Sequence, residues 1–135
     1  MDIVTLWPYH AALMSLGFVA LSTGIFVARY LKTRQWWLKL HKAFGVVGVL
    51  FVLSGFSIAI YMVAGSTGQH FTFPHDYLGA IAIIFVCITP ILGYAQFHVS
   101  SNRATIRTIH RWSGRITVIL VFITILSGLS VVGLP

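Results

Sequence analysis

Four apolar stretches of membrane-crossing length occupy most of this chain and leave room for few other folds. A helix needs about 20 mostly apolar residues to cross the hydrocarbon core of a bilayer. Residues 8–30, 41–64, 74–99 and 108–134 each meet that requirement. The connections between them are short, which makes successive helices antiparallel neighbours. The expected architecture is an all-α membrane protein, an up-down-up-down four-helix transmembrane bundle, in one domain over residues 1–135. Charged residues make up only 8% of the chain, against roughly a quarter in a soluble domain. This excludes a soluble enzyme, a disordered tail and a secreted disulfide scaffold. Cys87 is the single cysteine, so no intramolecular disulfide can form.

The charges orient the bundle. Arg29, Lys32, Arg34, Lys39 and Lys42 flank the first connection, and Arg103, Arg107, Arg111 and Arg115 flank the third. All nine basic residues therefore fall on one side, here side B. The two acids, Asp2 and Asp76, fall on the other, side A, with the second connection and both termini. The positive-inside rule makes side B cytoplasmic, or its organellar equivalent, and places both termini outside. The net charge of +7 is then a topology signal, and no nucleic-acid partner is expected. Pro8 and Pro74 suit first helical turns, and Pro90 is expected to kink the third span.

Of six histidines, four open the four expected helices, one each: His10, His41, His75 and His110. Their spacings of 31, 34 and 35 residues correspond to one span plus one connection, a weak internal repeat. The topology sets His10 with His75 near side A and His41 with His110 near side B. Two imidazoles from facing helices are what bis-histidine haem ligation requires. Gly45, Gly79 and Gly114 each follow one of these histidines by four residues, on the same helix face. A glycine there leaves room for a flat macrocycle against the backbone. The first helix has Met14 at that place. Two haems fit this pattern better than zinc or copper, which want three or four ligands converging on one point. His70, in the side A loop, and His98, at the side B end of the third helix, lack the glycine context.

These stretches also carry a resemblance. "HAALMSLGF" from His10, "LHKAFGVVGVLFVLSGF" around His41, "HDYLGAIAIIFVCITPILGYAQFH" from His75 and "HRWSGR" from His110 resemble the cytochrome b561 family. The closer match is its four-helix core as found beside DOMON domains, here without one. The resemblance implies two b-type haems (iron protoporphyrin IX), electron transfer across the membrane and the same pairing, His10–His75 and His41–His110.

The expected function is thus transmembrane electron transfer through two bis-histidine haems, an oxidoreductase activity; the alternative is a haem-bearing anchor subunit of a larger respiratory or redox complex. Arg29, Arg107 and Arg115 are candidates to bind haem propionates, since arginine pairs well with carboxylates. Expected partners are membrane lipid, a donor such as ascorbate or a quinol, and an acceptor metal ion, quinone or redox protein, in a homodimer or larger complex. Side A has no Lys or Arg, so an anionic reductant is expected to act from side B.

Overall fold

The computed structural model describes residues 3–133. Asp2 and the expected end of the fourth helix at Leu134 lie outside the described residues. A short 3-10 turn, Ile3–Leu6, leads into four α-helices: α1 Trp7–Tyr30, α2 Trp37–Gly65, α3 Pro74–His98 and α4 Arg103–Val131. All four are long and apolar enough to cross a membrane.

Local chemistry sets the ends. Pro8 and Pro74 occupy first turns, where a missing N–H costs nothing. Asp76 closes the start of α3: its Oδ2 accepts from the backbone N–H groups of Thr72 and Phe73, each at 2.9 Å. Its charge also opposes the positive end of the helix dipole. In the preceding loop, Gly68 takes φ +67°, a left-handed conformation that glycine adopts without steric cost.

Two helices start earlier than the apolar stretches suggest. α2 begins at Trp37 and α4 at Arg103, so His41 and His110 lie inside their helices rather than opening them. Hydropathy marks the length of chain in hydrocarbon. Lys39, Lys42, Arg103 and Arg107 are good helix formers and carry the helices on into the interface. α3 continues through Pro90 to His98, with Pro90 on an exposed face.

The bundle consists of two antiparallel hairpins. α1 packs along α2, and α3 along α4; α1 meets α4 and α2 meets α3 more sparingly. Among the described residues, α1 and α3 do not approach backbone to backbone, nor do α2 and α4. In the first hairpin glycine permits close contact: a Cβ on Gly17 would stand 2.5 Å from Val52 Cγ2, and one on Gly48 2.7 Å from Leu21 Cγ. Small residues at such crossings are the usual means of helix association in lipid. Met14, Val52, Ala82, Val86 and Val121 meet at the centre as a closed core. Large apolar side chains such as Leu16, Val19, Leu50, Ile84, Ile91 and Ile119 cover the outside. In water that surface would aggregate; in lipid it is solvated.

Candidate functional site

Each helix turns one seam inward, and the four seams share one spacing. In α1 it is His10, Met14, Gly17, Leu21 and Gly24; in α2, His41, Gly45, Gly48, Val52 and Gly55. In α3 it is His75, Gly79, Ala82, Val86 and Thr89; in α4, His110, Gly114, Thr117, Val121 and Thr124. Steps of four and three residues keep such positions on one face of a helix in a bundle.

The last residue of each seam holds the histidine of the neighbouring helix. The Nδ1–H of His10 donates to the Gly55 carbonyl at 2.8 Å, and that of His41 to the Gly24 carbonyl at 2.9 Å. His75 donates to the Thr124 carbonyl at 3.0 Å and His110 to the Thr89 carbonyl at 2.9 Å. A carbonyl can only accept, so Nδ1 carries a proton, and Nε2 is the nitrogen through which the ring can ligate in its neutral form. Orientation of a ligating imidazole through its other nitrogen is the usual arrangement in metal sites. Every seam therefore sets its histidine 14 residues from the carbonyl that anchors the next helix's histidine. At about 1.5 Å per residue that is roughly 21 Å between the two levels.

At each level two half-buried imidazoles face one another across a diagonal of the bundle. The ring centroids of His10 and His75 are 6.1 Å apart with planes at 89°; those of His41 and His110 are also 6.1 Å apart, at 79°. Two imidazoles on opposite sides of one metal ion, with bonds of about 2.0 Å and centroids about 1.2 Å behind each nitrogen, would stand roughly 6.4 Å apart. The pairs fit bis-imidazole ligation. Among the described residues, no three His, Cys, Asp or Glu side chains gather into a metal-binding group.

The glycines fall into two sets. A Cβ on Gly45 would meet nothing within 4 Å, one on Gly79 only Thr124 Cγ2 at 3.8 Å, and one on Gly114 only Thr89 Cγ2 at 3.7 Å. Protein packing does not require glycine at these three places. Two other glycines seat the imidazoles: a Cβ on Gly93 would stand 3.0 Å from His110 Cε1, and one on Gly128 2.9 Å from His75 Cε1. Neither stands four residues after a histidine of its own helix; each lies four residues beyond a threonine that anchors a histidine of the neighbouring helix.

Of the arginines, Arg29 lies in the last turn of α1 and Arg107 one turn before His110, both exposed. Arg115 lies deeper along α4 and sets its guanidinium 5.0 Å over the Trp112 ring, reaching back toward side B. Arg103 donates from Nε to the Gln96 carbonyl at 3.0 Å, satisfying the end of α3. His98 stacks on Tyr94 with centroids 3.9 Å apart and donates to the Tyr94 carbonyl. Neither His98 nor His70 joins an imidazole pair.

A multi-pass helical membrane protein with imidazoles facing in pairs across its interior has the architecture of a membrane cytochrome. The family model for eukaryotic cytochrome b561 matches residues 9–134, and the chain belongs to the cytochrome b561 family. No curated protein and no solved structure matches the chain. Membership makes it a multi-pass integral membrane protein of haem-based electron transfer, with b-type haem.

Proposed function

We propose that this chain passes electrons from one membrane face to the other through two haems b. His10 and His75 would hold one near side A, and His41 and His110 the other near side B. The observation that carries this reading is the matched pair of imidazole pairs, each at 6.1 Å, at opposite ends of a bundle whose diagonal helices stay apart. When bound, haem supplies a reversible one-electron iron couple, tuned by ligands, hydrogen bonds and burial.

The protein's own part is to orient, insulate and charge. Four backbone carbonyls fix the imidazole planes. Met14, Val52, Ala82, Val86 and Val121 fill the bundle between the two levels, which keeps water and ions out of the path. Gly45, Gly79 and Gly114 are proposed to border the macrocycles, because nothing in the protein itself calls for glycine there. Arg29, Arg107 and Arg115 are proposed to hold side B propionates.

Side B, with nine basic residues, is proposed to face the cytoplasm or its organellar equivalent and to receive an anionic reductant such as ascorbate. Side A would serve a neutral quinone, a metal ion or a partner protein. The test is a sealed vesicle with ferricyanide trapped inside and ascorbate added outside. The wild-type protein is expected to reduce the trapped acceptor, and His75→Ala and His110→Ala each to stop it. Undiminished reduction by either variant would contradict the reading.

A further inference from the structure

The two hairpins match residue for residue along their seams, but they differ where the side B histidines are anchored. His41 rests on Gly24, whose counterpart for His110 is Thr89. Thr89 has a hydroxyl as well as a carbonyl, and α4 answers it with two more. Its Oγ1 lies 2.6 Å from Ser113 Oγ and 2.9 Å from Thr117 Oγ1. Phe44 and Gly48 stand at the matching places in α2, with no hydroxyl.

The proton directions in this cluster are determined. Thr117 donates its single proton to the Ser113 carbonyl at 2.8 Å. Thr89 must then donate to Thr117, and Ser113 to Thr89. All three hydroxyls donate and none is left over. Ser113 and Thr117 are 5% and 3% exposed, in a helix long and apolar enough to cross a membrane, so water cannot replace a lost partner cheaply.

We infer that Thr89, Ser113 and Thr117 form a hydroxyl clamp that positions His110 and makes it the more rigidly held ligand of the side B pair. Thr89 links the two functions in one residue: its hydroxyl ties α3 to α4, and its carbonyl takes the His110 Nδ1–H at 2.9 Å. Gly93, one turn on, closes against the imidazole ring. A slip of α4 along α3 is therefore resisted by the hydroxyls before it lengthens the imidazole bond. These are positioning residues and rest on the haem reading above. A shorter, straighter Nδ1–H···O bond makes the imidazole a stronger donor to iron and favours the oxidised state.

The test uses the purified haem-loaded protein and two readouts, the ferric low-spin electron paramagnetic resonance signal and the midpoint potential. The signal's anisotropy follows the angle between the two imidazole planes. Thr89→Val keeps the shape and removes the hydroxyl. It is expected to shift the side B signal and raise the side B potential, leaving side A as in wild type. Thr89→Ser restores the hydroxyl and is expected to restore both. Ser113→Ala removes one of the two bonds to Thr89 and is expected to give a smaller shift of the same sign; it decides the matter should Thr89→Val fail to assemble. Lower thermal stability with signal and potential unchanged in Thr89→Val and Ser113→Ala would overturn the clamp and leave the hydroxyls as helix adhesive. A wild-type protein with no bis-imidazole signal at all would overturn the haem reading, and the clamp with it.

Discussion

A neutral imidazole offers a metal one lone pair, and what fixes it in place is a backbone oxygen from the next helix. That division explains which residues of the site are legible in the sequence. His10, His41, His75 and His110 stand out because histidine is rare in apolar spans and costly there without a partner. Their carbonyl anchors on Gly24, Gly55, Thr89 and Thr124 do not, since every residue has a carbonyl; the trace they leave is the 14-residue interval, too long to read without the neighbouring helix. The glycines divide along the same line. Gly45, Gly79 and Gly114, proposed to border the macrocycles, are picked out by their offset to histidine, whereas Gly93 and Gly128 pack against imidazoles on another helix. Gly93→Val places branched carbon where a Cβ alone would be 3.0 Å from His110 Cε1. It is expected to lower side B haem occupancy severalfold and spare side A, as judged by haem content and the resolved absorption bands. Gly79→Leu is expected to do the same at side A. Spectra and occupancy unchanged in Gly79→Leu would make that glycine a bystander.

The helices themselves were largely legible, because apolar length in a bilayer admits few alternatives. Their starts were not: Trp37 and Arg103 lie before the apolar stretches, where helix propensity rather than hydropathy extends the element. The difference in how the hairpins are joined was also hidden. The first closes through glycine against Val52 and Leu21, the second through hydroxyls and imidazoles, and only the partner helix reveals which. Gly17→Leu and Gly48→Leu overfill the first hairpin, and overpacking of this kind costs about 1–3 kcal/mol. Each is expected to lower the unfolding temperature in detergent by several degrees. A transition at the wild-type temperature would mean that α1 and α2 do not meet at those glycines.

At the scale of the molecule the charge asymmetry is proposed to govern access. Nine basic side chains at one end attract anions, and that attraction weakens as salt shortens the Debye length from about 10 Å at 0.1 M to about 3 Å at 1 M. Reduction by ascorbate in oriented vesicles is expected to be faster from side B and to slow severalfold as salt rises. Faster, salt-insensitive reduction from side A would reverse the proposed sidedness. The all-α membrane architecture and the family were readable from spans and motifs, while the closeness of fit within each imidazole pair required the folded bundle.

Two haems on two independent histidine pairs would be lost one at a time, and haem quantified per chain measures this. Two haems b are expected per wild-type chain, one in His75→Ala with only the side A signal lost, one in His110→Ala with only the side B signal lost, and none in the double variant. Two haems retained in either single variant, or one in the wild type, would contradict it.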